Sequence, residues 1–160
     1  MNTRIYNYSI HLIARQDYSE YKLRQKLLSK PDNSREEVDE VIAALKEKSL
    51  INEEAYKRLF IRKWMFKGES EDKIRKRGSL EKLSFDSEDF IRISEELGFT
   101  DEDSLEKLVV KKMRSKVIPT DFKERLKLQD KVLRFLISKG HDYRDAKDEL
   151  KKYFNDHSAD

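Results

Sequence analysis

A dense run of basic residues is the feature of this sequence best suited to binding chemistry. Between Lys57 and Arg77, nine of 21 residues are lysine or arginine. Ammonium and guanidinium groups at this density can bind phosphate oxygens, because each donates several charge-assisted hydrogen bonds. The run therefore predicts a surface for phosphates or for an acidic partner. The alternative is a solvated face of a lysine-rich protein.

A second basic run lies further along the chain. It contains Lys107, Lys111, Lys112, Arg114 and Lys116, and three of these positions, 107, 111 and 114, fall close to one face of a helix. Because basic runs occur in two separate parts of the chain, we favour a binding function over a solvated face. The candidate binding residues are Lys57, Arg58, Arg62, Lys63, Lys67, Lys73, Arg75, Lys76, Arg77, Lys107, Lys111, Lys112 and Arg114.

Acidic blocks separate the basic ones, so a formal net charge of only +3 hides a strong alternation. Residues 57–82 hold ten basic and four acidic side chains, residues 86–106 hold one and nine, and residues 107–134 hold ten and three. Carboxylates at helix N-termini interact favourably with the macrodipole, which explains part of the acidic pattern. The basic blocks are less readily explained in that way.

Residue types needed for catalysis or metal binding are sparse. The chain has no cysteine, which excludes disulfides, thiolate chemistry and Cys-ligated metals. His11, His141 and His157 lack a metal-ligand spacing, and no Gly-x-x-x-x-Gly-Lys loop is present to hold a nucleotide. We therefore expect a protein that is not an enzyme and that holds no cofactor or metal. No apolar run approaches the ~18 residues of a membrane span, so a cytoplasmic protein is expected.

The elements that position these residues are predicted to be helices. Four glycines and two prolines are too few for a protein of hairpins and turns. One helix is marked by the spacing of Val38, Val41, Ile42 and Leu45, preceded by a Ser34–Glu37 capping box. With a short helix around Ile10–Ile13, about nine helices are predicted. Their other start signals are Ser19, Asn52, Ser87, Thr100 and Asp142. Pro119-Thr120 breaks the chain before the helix that contains Phe122, and Gly140 is a stop signal.

Three aromatic residues share one face of the helix that carries the first basic run. Tyr56, Phe60 and Trp64 follow each other at intervals of four residues. Rings beside cations can stack on the bases of a single strand, but the spacing is also what burial in a core requires. We favour a core position for this face, with Trp64 as its exception.

Similar segments recur at an offset of 51 residues. Ser19-Glu20 followed by Leu23 resembles Ser70-Glu71 followed by Ile74. Small helical units of this kind must stack to bury their faces. The sequence therefore predicts an all-α chain of three tandem three-helix repeats, over residues 1–50, 51–98 and 99–160, that form an elongated curved array.

Several short motifs occur in a fixed order between residues 8 and 154. They are Leu12-Ile13-Ala14-Arg15 with Tyr18-Ser19, Leu23 and Lys26-Leu27; Leu45 with Leu50-Ile51-Asn52-Glu53-Glu54-Ala55-Tyr56; Arg62, Gly68 and Ile74; and Leu133 with Phe135-Leu136 and Lys139-Gly140. In order and spacing, these segments resemble the RecX family, bacterial regulators of the RecA recombinase.

The resemblance implies three tandem three-helix repeats without enzymatic activity. It also implies a monomer that binds in the groove of the RecA filament on DNA, with DNA phosphate contacts, and restrains recombination and ATP hydrolysis in DNA repair and the SOS response. The alternatives are a stand-alone helical DNA-binding or architectural protein and a plain helical scaffold.

The chain departs from the family pattern at four positions. Asn52 and Glu53 replace paired aspartates, His141 replaces an aromatic residue, and Gly78 stands where a helical leucine is expected. Glycine inside a helix costs about 0.5–1 kcal/mol relative to alanine. We therefore expect the middle helix of the second repeat to end early or to shift register near Gly78.

Overall fold

The chain is helical throughout the part that the structure describes, which confirms the all-α class. The structure is a computed structural model that describes residues 1–99 and 101–158, with side chains described outside residues 101–103. No strand occurs in these ranges, and no helix in them is long and apolar enough to cross a membrane. The described helices are α1 (Thr3–Ile13), α2 (Glu20–Leu28), α3 (Arg35–Glu47), α4 (Glu53–Phe66), α5 (Glu71–Leu80), α6 (Ser87–Glu96), α7 (Asp101–Met113), α8 (Phe122–Ser138) and α9 (Tyr143–His157).

Polar side chains cap four of the described helices where the sequence predicted a start. Ser19 and Asp142 accept backbone N–H groups at the starts of α2 and α9. Ser34 and Glu37 form the complete capping box of α3. The Asn52 side chain accepts the Ala55 amide of α4 at 3.1 Å. Such caps stabilise a helix by about 1 kcal/mol each, because they satisfy amides that have no partner within the helix.

Two predicted helix starts were wrong in position. The cap of α6 is Asp86 rather than Ser87, because Asp86 and Asp89 form a capping box one residue earlier. The first helix is longer than predicted, because the Asn2 side chain caps it at its N-terminus and it extends to Ile13. The predicted box at Thr100 lies outside the described residues.

Residues 1–60 and 77–85 form one compact unit of the chain. Its helices α1, α2 and α3 pack against each other. The predicted stripe of α3 is confirmed, since Val38, Val41 and Leu45 are fully buried and contact Leu23 and Leu27 of α2 within one apolar cluster. Burying each side chain of this size contributes about 1.5–3 kcal/mol, so the cluster is the main stabilising element of this unit.

The second compact unit comprises Ile61–Lys76 and Asp86–Asp160. Here α7, α8 and α9 pack against each other around a second apolar cluster. The cluster includes Val109, Met113, Leu136, Ala146 and Phe154, each at most 3% exposed. This core fixes the positions of α7 and α8, which carry the second basic run.

Gly78 lies close to the end of its helix but does not end it. Helix α5 continues through this glycine to Leu80. A Cβ atom at position 78 would lie 2.9 Å from the Leu83 carbonyl oxygen and 3.0 Å from the ring of Phe85. The glycine is therefore explained by the close approach of the chain that follows α5.

The aromatic face of α4 is only partly buried. Phe60 is in the core, as predicted, with 6% of its surface exposed. Tyr56 is half-buried, and its hydroxyl donates to a carboxylate oxygen of Glu81 at 2.7 Å. Burial, followed by that hydrogen bond, raises the pKa of Tyr56 well above its ordinary value. Its role in the first unit is structural.

Candidate functional site

A cleft lined by lysines is the strongest candidate site in the second unit. It has a volume of about 430 Å³. Its lining, which we call the basic cleft, consists of Phe66, Lys67, Leu108, Lys111, Lys112, Ser115, Lys116, Phe135 and Lys139. No described carboxylate belongs to this lining. The cleft therefore concentrates positive charge.

Three helices end at the basic cleft. Phe66 is the last residue of α4, Lys111 and Lys112 lie in the last turn of α7, and Lys139 is the C-cap of α8. Cations near helix C-termini interact favourably with the macrodipole, by about 0.3–1 kcal/mol each. The same lysines thus stabilise the helix ends and supply the charge of the cleft.

Long-range contacts fix the loop after α4 against the end of α8. The Ser70 amide donates to the Lys139 carbonyl at 3.0 Å, and His141 Nε2 donates to the Gly68 carbonyl at 2.7 Å. Gly140 has a φ of +88°, and a Cβ atom there would lie 2.5 Å from Ser70 Oγ. These contacts bring Lys67 and Lys139, which are far apart in sequence, to the same cleft.

The ring of Phe135 orders two of the cleft cations. Lys112 Nζ lies 4.1 Å from the ring centroid and Lys139 Nζ lies 5.6 Å from it. Cation–π contacts of this kind contribute about 0.5–1 kcal/mol at exposed sites. Phe135 thus holds ammonium groups from α7 and α8 near each other.

A second aromatic pair extends the surface beyond the cleft. The ring of Phe66 is 55% exposed and meets Phe99 edge to face, with centroids 5.0 Å apart. Arg62 Cζ lies 5.6 Å from the Phe66 centroid, and Lys107 Nζ lies 5.0 Å from the Phe99 centroid. Cations and rings therefore alternate along this surface.

The sequence predicted Trp64 as the one exception to burial on its face of α4, but Tyr56 is half-buried as well. Trp64 is half-buried, and Lys63 Nζ and Lys67 Nζ lie 5.2 and 4.6 Å from the centroid of its indole. Because Lys67 also lines the basic cleft, the environment of this indole is linked to that of the cleft.

The remaining candidate cations take different positions. Lys57, with 12% of its side chain exposed, pairs with Glu54. Lys73 contacts Glu69 and the Ser138 carbonyl. Arg75 contacts Glu71 and Ser87. Lys76 and Arg114 belong to the second unit, and their side chains are exposed. Three candidates, Lys57, Arg58 and Arg77, belong to the first unit instead.

Sequence reasoning missed part of the cleft. Lys139, Phe66 and Phe135 were not among the candidate binding residues, and Lys116 was recognised only as a member of the second run. One signal was available, since Phe135 and Lys139 are four residues apart and so share a helical face. The approach of α4 to this face had no local signal.

A second cleft of the same unit has the opposite charge. It has a volume of about 640 Å³ and is lined by residues at the starts of α5 and α9, among them Glu71, Asp72, Asp142, Asp145 and His141. Asp142 is the N-cap of α9, and Glu71 and Asp72 lie in the first turn of α5, so these carboxylates stabilise helix N-termini. No group of three or more acidic or histidine side chains in the described chain is arranged to hold a metal ion.

Comparisons with known proteins agree with the fold and with the family that the sequence resembles. The chain is 32% identical over 136 residues to the regulatory protein RecX of Haemophilus ducreyi, and the alignment covers 84% of this chain and 82% of the relative. Its fold is similar to that of RecX from Lactobacillus salivarius in a crystal structure, with a TM-score of 0.66, 21% identity and 94% of each chain covered. No protein-family model matches the chain.

Proposed function

Because this chain belongs to the RecX family of regulatory proteins, we propose that it is a non-enzymatic regulator of the RecA recombinase. The proposal is that it binds RecA–DNA filaments in the cytoplasm, as a monomer, and restrains recombination and ATP hydrolysis by the filament. The observation that supports it is sequence identity of 32% across most of a relative that is named a regulatory protein RecX.

The basic cleft is the surface proposed to meet the filament. A filament of protein on DNA carries the negative charge of the DNA phosphates, and five lysines of the cleft offer charge-assisted hydrogen bonds to such groups. Arg62, Lys63 and Lys107 lie beside rings in the same unit and are proposed to extend this surface. Contacts to phosphates give affinity without sequence preference.

The direct test is to measure the ATPase and strand-exchange activities of RecA with and without this protein. Both activities are expected to fall as the protein is added. A double variant, Lys111→Glu with Lys112→Glu, should weaken the effect, whereas Lys147→Glu with Lys151→Glu on α9 makes the same change in net charge away from the cleft. No effect of the parent protein at several-fold molar excess over RecA would contradict the proposal.

The second candidate function is that of a stand-alone helical DNA-binding protein. The lysine-lined cleft supports it, since such a surface also suits bare DNA. Salt titrations of binding to bare DNA and to RecA–DNA filaments separate the two functions. Tight binding to bare DNA that gains nothing from RecA would favour this second function.

A further inference from the structure

We propose that the basic cleft is a binding site for single-stranded nucleic acid, in which the lysines hold phosphates and Phe66 provides a ring for base stacking. The inference rests on the proposed function for its biological setting, while the binding event itself requires only this chain. The inference is that a strand of nucleic acid, rather than an acidic protein surface, binds in the cleft.

The charge of the cleft is the first reason. Lys67, Lys111, Lys112, Lys116 and Lys139 converge there, and none of them forms an ion pair with a described carboxylate. Some other cations of the described chain do have carboxylate partners, such as Lys22 with Glu81 at 2.5 Å and Lys46 with Glu20 at 2.8 Å. Like charges gathered without carboxylate partners repel each other, so an anion that enters the cleft relieves the repulsion.

The alternation of rings and cations is the second reason. A single strand carries one phosphate and one aromatic base per nucleotide. The surface presents Phe66 beside Lys67, then Phe135 with Lys112 and Lys139 over it. Protein sites for single strands combine a positive groove with exposed rings in this manner, because every base has a face that can stack.

The exposure of Phe66 distinguishes a single strand from other anions. More than half of its surface is exposed, although it lies beside Phe99 and beneath Arg62. A duplex keeps its bases stacked inside and offers no base face to this ring. An acidic protein surface satisfies the lysines but supplies no partner that requires a ring. A single strand uses both features.

Trp64 provides a signal for the binding event. It is the one tryptophan of the chain, and Lys67 Nζ lies 4.6 Å from the centroid of its indole. If Lys67 turns toward a phosphate, the charge above the indole moves away and the fluorescence of Trp64 changes. The protein therefore reports binding without a label.

The experiment is a titration of the full chain, without RecA, with oligothymidylate of about 12 nucleotides. The same titration is done with a duplex of equal length and with polyglutamate, which represents an acidic protein surface. Trp64 fluorescence and the anisotropy of end-labelled DNA are both followed. We expect oligothymidylate to bind at least tenfold more tightly than the duplex at equal salt, and polyglutamate to bind more weakly than either.

Three variants test the ring. Phe66→Leu keeps an apolar side chain and removes the ring, and we expect affinity for oligothymidylate to fall about 5- to 150-fold, the range for loss of one stacked base. Phe66→Tyr keeps the ring and should bind within about twofold of the parent. Tyr143→Leu is the matched control, since Tyr143 is also 55% exposed with a lysine over its ring, and Tyr143 lies outside the cleft.

Several outcomes would overturn the inference. They are equal affinity for duplex and single strand, preference for polyglutamate, or equal losses in Phe66→Leu and Tyr143→Leu. Circular dichroism and thermal melting establish that each variant is folded. Because RecA is absent from the titration, failure here leaves the RecA assays to judge the proposed function separately.

Discussion

Replacing three lysines of the basic cleft by glutamine should weaken binding to single-stranded DNA strongly and leave the fold intact. The triple variant is Lys67→Gln, Lys111→Gln and Lys116→Gln. No ion pair with a described carboxylate is lost, while cation–π and helix-terminus contacts worth a few tenths of a kcal/mol each are removed together with some repulsion. The free energy of unfolding should therefore stay within about 1 kcal/mol of the parent value.

The size of the effect follows from the number of lysines. On a single strand, each neutralised phosphate adds about −0.7 to the slope of log K against log salt concentration. Five contacts give a slope of about −3.5, and two remaining contacts give about −1.4. At about 0.1 M salt, each lost contact then lowers affinity by about fivefold, so the triple variant should bind about 100-fold more weakly.

The assay is anisotropy of a labelled oligonucleotide at several salt concentrations between about 0.05 and 0.3 M. The matched control is Lys123→Gln, Lys131→Gln and Lys151→Gln, which removes the same charge from exposed positions of α8 and α9 outside the cleft. Equal losses of affinity and slope in both triple variants would refute the reasoning, since net charge rather than the cleft would then govern binding.

Three further changes test the packing and the electrostatics. Gly78→Ala gains about 1 kcal/mol of helix propensity but places a Cβ 2.9 Å from a backbone carbonyl, so urea titration should show a net loss of about 1–2 kcal/mol. The hydrogen bond from Lys46 holds the pKa of Glu20 below its ordinary value. This carboxylate therefore stabilises the fold at pH values above the ordinary carboxyl pKa, and the contribution is lost as the pH falls through the pKa of the folded state. The difference in unfolding free energy between parent and Glu20→Gln should therefore shrink between about pH 7 and pH 3, and a constant difference would contradict this. Phe135→Leu releases Lys112 without removing charge, so affinity for oligothymidylate should fall severalfold while the salt slope stays the same.

The helices could be predicted from sequence because their signals are local. The Ser34–Glu37 box and the stripe of α3 lie within one helix, and both occur where they were predicted. The reason for Gly78 could not be predicted, because it is a contact with residues that return after a turn. Helix propensity describes what a glycine costs, but it cannot reveal which backbone comes close to it.

The candidate site was predictable in charge but not in geometry. Both basic runs contribute to the basic cleft, through Lys67 from the first and Lys111 and Lys112 from the second. Which cations converge depends on hydrogen bonds such as His141 to Gly68, whose partners are 73 residues apart. A run of charge in a sequence shows that binding is possible, and only the tertiary contacts select the residues that share one surface.

The two clefts of the second unit show how capping chemistry can become a binding surface. Acidic residues favour helix N-termini and basic residues favour helix C-termini, for reasons local to each helix. Where the ends of α4, α7 and α8 meet, this preference alone gathers lysines, and where the starts of α5 and α9 meet, it gathers carboxylates. A net charge of +3 averages over both and predicts neither. Local capping does not require an exposed phenylalanine among the lysines. For that reason Phe66, more than the positive charge, distinguishes a binding site for single-stranded nucleic acid from a set of well-capped helices.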